Sequence, residues 1–249
     1  MNGEKENEKR VLIGCPTCYL KEDSLEKYVS GLKGLTCKNF DVFLEDNSPT
    51  PEYSQKIKRF AKKFEENNFN QTFRVHYSGE TSTKARSRIV NGRNLIRKIV
   101  LNENYDYFFS LEQDIVPPTN AMERLLKTKK DAVSGVYLNR DTKQGVNSIR
   151  VMAGYYGNEE ERKNKMVRHL ELFQILPSRV FEVAYTGLGC FLVSRKALEQ
   201  ISFRYLEEKV ACDDMYFSMD LQGNGIPIYL DSSVLCAHYF NDALKKTEF

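Results

Sequence analysis

The sequence predicts an α/β fold in which helices cover both faces of a mostly parallel sheet. In the first half of the chain, short apolar segments of strand length alternate with longer segments of helical periodicity. The predicted strands are 11–15, 40–44, 73–77 and 105–111, and the predicted helices are 24–32, 52–66 and 84–101. This alternation is typical of a parallel sheet, because each helix returns the chain to the same edge of the sheet.

Each of the three helices is predicted from an apolar stripe of residues three or four positions apart. The stripes are Leu25, Tyr28, Val29 and Leu32 in the first helix, Ile57, Phe60, Ala61 and Phe64 in the second, and Ala85, Ile89, Ile96 and Val100 in the third. The third helix also carries basic residues, most of which we expect on its solvated face: Lys84, Arg86, Arg88, Arg93, Arg97 and Lys98.

The second half of the chain has a weaker pattern. Residues 131–138 and 185–194 are predicted strands, the second interrupted by glycines, and 139–180 is expected to be a hairpin or loop region of lower order. A helix over 213–222 and a last strand over 226–230 complete the prediction.

The chain is expected to form one domain, because no linker rich in Pro, Gly or Ser divides it. We expect the domain over 11–240, a disordered tail over 1–10 and a C-terminal tail over 241–249. The formal net charge of +3 is too small to indicate a nucleic-acid partner. No apolar run reaches the ~20 residues that span a bilayer, although peripheral membrane contact is compatible with this composition.

The cysteines and the N-terminus favour a cytoplasmic protein. The charged N-terminal segment has no signal-peptide core, and the six cysteines do not form a disulfide-like framework. Cys15 and Cys18 have the spacing of metal ligands, but no second pair of this kind follows. A structural role is therefore predicted for them, with metal or redox roles as alternatives.

The segment SLEQDIVPP places two acids directly after the apolar strand 105–111. Glu112 and Asp114 are two positions apart, so both carboxylates can face one cavity. Two carboxylates at short distance repel unless a cation lies between them, and Mg²⁺ or Mn²⁺ is the hard cation that such oxygens bind. A solvated loop with two ordinary acids is the alternative.

Three further groups of residues are candidates for chemistry. Asp213 and Asp214 begin a predicted helix, where carboxylates either stabilise the helix terminus or act as a general base. His238, near the predicted last strand, is either a packed residue or a third metal ligand. Arg86 and Arg88 are either solvated or bind phosphate. The sequence contains no P-loop motif and no dinucleotide-binding GxGxxG after a strand.

Several short motifs follow one another in a fixed order. They are GCPTCY, EDNS, KARSRIVNGRN, EQD, GLGCFLVSR, DDMYF, GIPIYLD and the late His238. In this order they resemble the motifs of the GT-A fold glycosyltransferases, in particular the family-2-like inverting enzymes. Glu112 stands where the family has Asp, and Asp213 stands where the family has Glu. Retaining GT-A enzymes share several of these features, so the stereochemistry stays open.

The resemblance implies a nucleoside diphosphate sugar donor, UDP- or GDP-linked, bound by residues 11–115, and an acceptor bound by residues 116–240. The residues that it places around the donor are Pro16, Thr17, Tyr19, Asp46, Arg86, Arg88, Glu112 and Gln113. Asp46 would bind the base or ribose. Asp114, with Glu112 and His238, would hold Mn²⁺ or Mg²⁺.

The resemblance also implies that Asp214 deprotonates an acceptor hydroxyl, with Asp213 as the alternate base. The acceptor is a glycan, a lipid-linked molecule or a protein. Tyr155, Tyr156 and Tyr185 either stack on a sugar ring or belong to the core. Two other functions are weighed: a non-catalytic sugar- or nucleotide-binding module of the same fold, and a nucleotidyltransferase. The lack of glycine in PTCYLKEDS disfavours the second.

Overall fold

The computed structural model describes residues 9–66, 70–141, 148–206 and 212–239. The predicted C-terminal tail and most of the predicted N-terminal tail lie outside the described residues. Lys9 and Arg10, the last two residues of the predicted N-terminal tail, contact the folded domain just before the first strand. Lys9 Nζ is 3.0 Å from Asp106 Oδ1, and the Arg10 guanidinium donates to Asp41 at 2.9 Å.

The strands and helices of the described residues follow the predicted alternation through the first half of the chain. The strands are β1 (Val11–Thr17), β2 (Phe40–Asp46), β3 (Phe73–Tyr77), β4 (Tyr107–Leu111), β5 (Ile115–Val116), β6 (Ala132–Val136), β7 (Leu138–Asp141), β8 (Ser148–Val151), β9 (Ala153–Tyr155), β10 (Arg168–His169), β11 (Val180–Val183), β12 (Tyr185–Thr186), β13 (Cys190–Ser194), β14 (Ile228–Leu235) and β15 (Ala237–His238). The α-helices are α1 (Leu25–Gly34), α2 (Glu52–Glu65), α3 (Ala85–Asn102), α4 (Ala121–Lys127), α5 (Glu159–Asn164), α6 (Arg195–Gln200) and α7 (Asp213–Gly223). Short 3-10 helices lie at Tyr19–Ser24 and Leu172–Ile175. Within the described part of the chain, no helix has the length and apolar character needed to cross a membrane.

The central sheet has eight strands in the order β11-β14-β6-β13-β4-β1-β2-β3. The strands β3, β2, β1 and β4 pair in parallel, as the sequence predicts. Strand β13 is antiparallel to both β4 and β6, and the edge strand β11 is antiparallel to β14. Both halves of the chain therefore contribute strands to one mixed sheet.

Helices cover both faces of this sheet. Successive side chains of its inner strands point to opposite faces, and apolar residues on each face are buried against helices. Ile13 of β1 packs in a buried core with residues of α1 and α2, whereas its neighbour Leu12 packs in a second core with residues of α3. The predicted stripes of α1 and α2 are buried except for Phe60, which is partly buried. On α3, Ile96 and Val100 are buried.

The second half of the chain departs from the prediction. The predicted strand 131–138 is divided, since β6 stays in the central sheet and β7 pairs with β8 in a separate hairpin. The predicted strand 185–194 is likewise divided: β12 joins the small sheet β10-β9-β12, and β13 lies in the centre of the large sheet. In the region 139–180, predicted as a hairpin or loop region of lower order, the described residues hold several short strands and the helix α5.

Candidate active site

The two acids of the EQD segment lie at the carboxyl end of β4 and bind one lysine. Lys21 Nζ is 3.3 Å from Glu112 Oε2 and 3.1 Å from Asp114 Oδ1. Lys21 belongs to the 3-10 helix that follows β1, and β1 pairs with β4. Burial alone would raise the pKa of Asp114, but the charges of Lys21 and His238 hold that pKa well below its ordinary value. An ammonium group of the protein itself therefore compensates the acid pair.

Gln113, which lies between the two acids in the sequence, holds the backbone of this lysine by a hydrogen bond. Its side chain is completely buried, and its Nε2 donates to the Lys21 carbonyl oxygen at 2.6 Å. Its Oε1 accepts hydrogen bonds from the hydroxyls of Thr17, at 2.6 Å, and Tyr53, at 2.7 Å. The side chains of Thr17 and Gln113 are thus buried and hydrogen-bonded to each other, and their predicted contacts with a donor stay a prediction.

His238 lies beside Asp114 because β15 pairs with β5, the strand that directly follows the acids. The Nδ1 atom of His238 is 2.7 Å from the Leu138 carbonyl oxygen, and its Nε2 is 3.7 Å from Asp114 Oδ2. Burial lowers the pKa of His238, but the neighbouring Asp114 carboxylate outweighs burial and raises that pKa above its ordinary value. The structure thus joins the predicted His238 and Asp114.

The Asp114 carboxylate and the His238 imidazole are suited to a divalent cation. Because Nδ1 faces a backbone carbonyl, Nε2 is the ring nitrogen directed at Asp114, and this is the usual arrangement of a metal-binding histidine. Glu112, in contrast, is turned toward Lys21 and Arg93. Among the described residues, no three His, Cys, Asp or Glu side chains are arranged as a metal-ion site. Asp114 and His238 therefore fit a cation, and Glu112 would have to turn toward it.

Arg93 of α3 connects the acids after β4 with those at the start of α7. The Nη2 atom of its guanidinium is 2.7 Å from Glu112 Oε1, and its Nε atom is 3.1 Å from Asp213 Oδ2. Arg93 is an exception to the expectation that most basic residues of this helix are solvated, since its side chain is only 5% exposed. The sequence did contain a signal, because Arg93 lies four residues after Ile89 and three before Ile96, on the apolar side of the helix.

Asp214 lies next to this network in the first turn of α7. Its Oδ1 accepts a hydrogen bond from the Met215 backbone N–H at 2.7 Å. Burial and the adjacent Asp213 carboxylate raise the pKa of Asp214 to about 7. A carboxyl group with this pKa exchanges a proton readily at neutral pH, so Asp214 is chemically suited to act as a general base.

The GLG segment before β13 packs against Tyr137, next to His238. A Cβ atom on Gly189 would lie 2.7 Å from Cζ of Tyr137, and one on Gly187 would overlap the Tyr137 hydroxyl. The Tyr137 ring in turn packs edge-on against the His238 imidazole, with 5.6 Å between ring centroids. Glycine is needed here because Tyr137 occupies the space of a side chain.

The acids at the end of β2 face opposite sides of the sheet. Asp46 is fully buried and accepts hydrogen bonds from the hydroxyls of Ser48 and Ser54, at 2.5 and 2.6 Å. The Asp46 carboxylate therefore holds the β2–α2 loop, and its predicted contact with a base or ribose stays a prediction. Glu45, which sequence analysis did not single out, lies on the α3 side against Gly92.

Glu45 is the acid of this strand that is directed toward α3 and the basic residues at its start. Burial raises its pKa to about 6, and it accepts a hydrogen bond from the Ser78 hydroxyl. The charge of Arg88 acts on Glu45, whereas the charge of Arg86 acts on Cys212, just before α7. Arg88 itself donates to the Ser82 carbonyl oxygen at 2.6 Å and lies 3.6 Å from Glu80.

The remaining predicted donor residues lie around the end of β1. Pro16 is buried against Gly92 of α3. Tyr19 is 49% exposed, and it lines a cavity of about 680 Å³ formed with the β2–α2 loop and α2. The acids after β4 do not line this cavity. Burial raises the pKa of the Cys15 thiol to about 12, and a buried thiol of this kind is a poor nucleophile.

Of the three tyrosines predicted near the acceptor, Tyr185 is close to the acids of α7. It is buried, and burial and the charge of Asp214 raise its pKa. Its ring packs edge-on against His169, with 6.0 Å between centroids. Tyr155 and Tyr156 are partly exposed, and the Tyr156 hydroxyl donates to Gln222 at 3.0 Å.

Comparison with solved structures identifies the fold. No protein-family model matches the chain, and no curated protein matches it. The chain is similar to GalNAc-T7, crystallised with UDP, GalNAc and Mn²⁺, with a TM-score of 0.61 and 10% identity over 94% of this chain and 44% of the other. It is similar to residues 1–349 of S. aureus TarS in complex with UDP-GlcNAc, with a TM-score of 0.56 and 14% identity over 97% and 62% of the two chains.

The mannosyltransferase PcManGT of Pyrobaculum calidifontis, in complex with GDP-Man and Mn²⁺, is a third similar structure. The TM-score is 0.55, with 15% identity over 92% of this chain and 57% of the other. The predicted fold class is therefore confirmed: the chain has the mixed α/β fold of the GT-A glycosyltransferases. It spans only about half the length of these proteins, between 44% and 62%. At these identities the similarity establishes the fold alone.

Proposed function

We propose that this protein transfers a sugar from a nucleoside diphosphate sugar to a hydroxyl group of an acceptor, with inversion at the anomeric carbon. One observation carries the proposal. The acid pair after β4 and the acids at the start of α7 meet through the Arg93 side chain at one edge of a GT-A sheet. In open α/β sheets, ligands bind beyond the carboxyl ends of the strands, and this site lies there.

The donor is proposed to lie across the ends of β1, β2 and β4. Its nucleoside would be next to Tyr19, Glu45 and Arg88, and its diphosphate next to Lys21. Complexes of the similar proteins with UDP, UDP-GlcNAc or GDP-Man favour this class of donor. Asp114 and His238, joined by Glu112, would hold Mn²⁺ or Mg²⁺. When bound, such an ion would offset the negative charge that builds on the leaving diphosphate.

The acceptor hydroxyl is proposed to lie against Asp214, within the half of the chain that comprises residues 116–240. Asp214 takes the hydroxyl proton while the hydroxyl oxygen attacks the anomeric carbon. The bond from that carbon to the diphosphate breaks, and the nucleoside diphosphate leaves with the electron pair. Arg93 fixes Asp213, so Asp213 positions the start of α7 and Asp214 acts as the base.

A screen of UDP-, GDP- and dTDP-sugars tests the proposal. We expect one nucleotide class to bind in calorimetry and to be slowly hydrolysed in the presence of Mn²⁺, because water can replace the acceptor. Parallel samples with EDTA and with the free nucleoside serve as controls. If no nucleotide sugar binds with or without Mn²⁺, the proposed function is wrong. A protein that binds a nucleotide sugar, but neither hydrolyses it nor transfers the sugar to any acceptor hydroxyl offered, would instead be a non-catalytic sugar-binding module.

Replacing Asp114 with Ala should weaken donor binding by at least roughly 10- to 100-fold, because losing even an outer partner of a metal ligand costs that much. The loss should be largest in the presence of Mn²⁺, because Asp114 is proposed to act on the diphosphate through the ion. Calorimetric titration of the donor identified in the screen measures the effect, and Glu26→Ala on the exposed face of α1 is the control. An equal loss in EDTA would mean that Asp114 acts structurally.

A further inference from the structure

We propose that Lys21 is an internal cation of the donor site. In the absence of a ligand its ammonium group pairs with Glu112 and Asp114, and it has to leave these two acids when a divalent ion binds. This inference rests on the proposed function, because it concerns the place where the divalent ion of that function would bind. It makes Lys21 a positioning residue that sets how strongly the site binds a divalent ion.

The position of the ammonium group is the first observation. Lys21 Nζ contacts one oxygen of Glu112 and one oxygen of Asp114 at 3.3 and 3.1 Å, so it lies between the two carboxylates. An ion that used both of these oxygens would need the same space. Two cations cannot occupy that space together, since like charges at such short distance repel strongly.

The burial of the three side chains is the second observation. They are 17%, 26% and 9% exposed for Lys21, Glu112 and Asp114, so water screens the ion pairs only partly. The acids would be costly to leave without a cation, and Lys21 supplies one in the free protein. Entry of a divalent ion must therefore include the free energy of separating the ammonium group from two carboxylates.

The backbone of the lysine allows such a movement. Lys21 lies in a short 3-10 helix, and the Lys21 carbonyl oxygen accepts a hydrogen bond from Gln113. The backbone therefore stays anchored while the flexible side chain turns. Once it has left the acids, the ammonium group has a second anionic partner within the site, the donor diphosphate. Lysine is suited to this exchange because its charge is compact and its stem is long.

The test is the affinity of the protein for Mn²⁺ alone, without any nucleotide, measured from the free Mn²⁺ signal in electron paramagnetic resonance. Replacing Lys21 with Met removes the charge and keeps the length of the side chain. We expect Lys21→Met to bind Mn²⁺ ~10-fold more tightly than the parent protein, because the like charge that competes for the same oxygens is gone. Adding Asp114→Asn to this variant should abolish the gain.

The matched control is Lys58→Met, which removes the same charge from the exposed face of α2. It should leave Mn²⁺ affinity unchanged. Equal or weaker affinity of Lys21→Met compared with the parent would overturn the proposal. Because no nucleotide sugar is present, this result is independent of the donor screen, and the two proposals can fail separately.

A second variant covers the case in which Lys21→Met does not fold. Lys21→Gln keeps a hydrogen-bond donor for the acids while it removes the charge, and it should show the same gain in Mn²⁺ affinity. In addition, Mn²⁺ should raise the melting temperature of Lys21→Gln more than that of the parent protein. Absence of both effects in a folded Lys21→Gln variant would also overturn the proposal.

Discussion

Replacing Asp214 with Asn is expected to lower the rate of sugar transfer by roughly 10²- to 10⁴-fold, the range that a general base contributes. Asn has the shape of the carboxyl group but cannot accept the hydroxyl proton. Donor affinity should change little, because Asp214 is proposed to act on the acceptor. Single-turnover kinetics with the donor found by screening, together with a donor titration, separates these two quantities.

The pH dependence of transfer provides an independent readout of the same residue. Burial and Asp213 raise the pKa of Asp214 to about 7, and only the deprotonated form can act as a base. In the parent protein, the rate should therefore rise as the pH increases through about 7 and level off above it. In Asp214→Asn, the residual rate should lack this step.

Two neighbouring substitutions are controls for the assignment. Asp213→Asn leaves Asp214 intact and should cost less than Asp214→Asn, since Asp213 is bound to Arg93. Asp220→Asn, two turns further along α7, removes only a surface pair with Arg204 and should leave the rate unchanged. If Asp213→Asn instead removed the step in the pH profile, Asp213 would be the base.

The helices of the first half could be predicted from the sequence because their information is local. A stripe such as Leu25, Tyr28 and Leu32 repeats at the helical period, and all three residues are buried as predicted. The short strands β7 to β10 could not be predicted in this way. They have only two to four residues, and a segment of that length shows no period.

The acids of the site could be predicted, but their partners could not. Glu112 and Asp114 interrupt an apolar segment, and a buried carboxylate requires compensation wherever it occurs. Lys21, which provides part of that compensation, is 91 residues away from Glu112 along the chain. Only the pairing of β1 with β4 brings the two together. For a related reason the sequence does not show which of Glu45 and Asp46 faces α3, because strand register decides it.

Replacing Arg93 with Met is expected to lower the free energy of unfolding by about 3 kcal/mol, since removal of one partner from a buried ion pair costs about 3–5 kcal/mol. The variant leaves Glu112 and Asp213 without their guanidinium partner in a poorly solvated site. The lower end of the range is expected because Glu112 is 26% exposed and keeps Lys21. Urea unfolding at pH 7 measures the change, and Arg59→Met on the exposed face of α2 is the control.

The pH dependence of this loss distinguishes an electrostatic role of Arg93 from simple packing. The charges of Lys21 and Arg93 outweigh burial and hold the pKa of Glu112 below its ordinary value in the folded protein. A depressed carboxyl pKa contributes stability above the unfolded pKa, and that contribution is lost as the pH falls through the folded pKa. The stability difference between the parent protein and Arg93→Met should therefore shrink in acid. A difference that stays constant from neutral pH down to pH ~3 would mean that Arg93 acts mainly through its packing against Phe203.

Arg93→Met also tests whether the two acid pairs form one functional unit. Arg93 lowers the pKa of Asp214, so its removal should shift the rise of the transfer rate to higher pH. A structural residue would reduce the amount of folded protein without moving the pH profile of the remainder. If the folded fraction of Arg93→Met kept the parent profile, the acids after β4 and those of α7 would act independently.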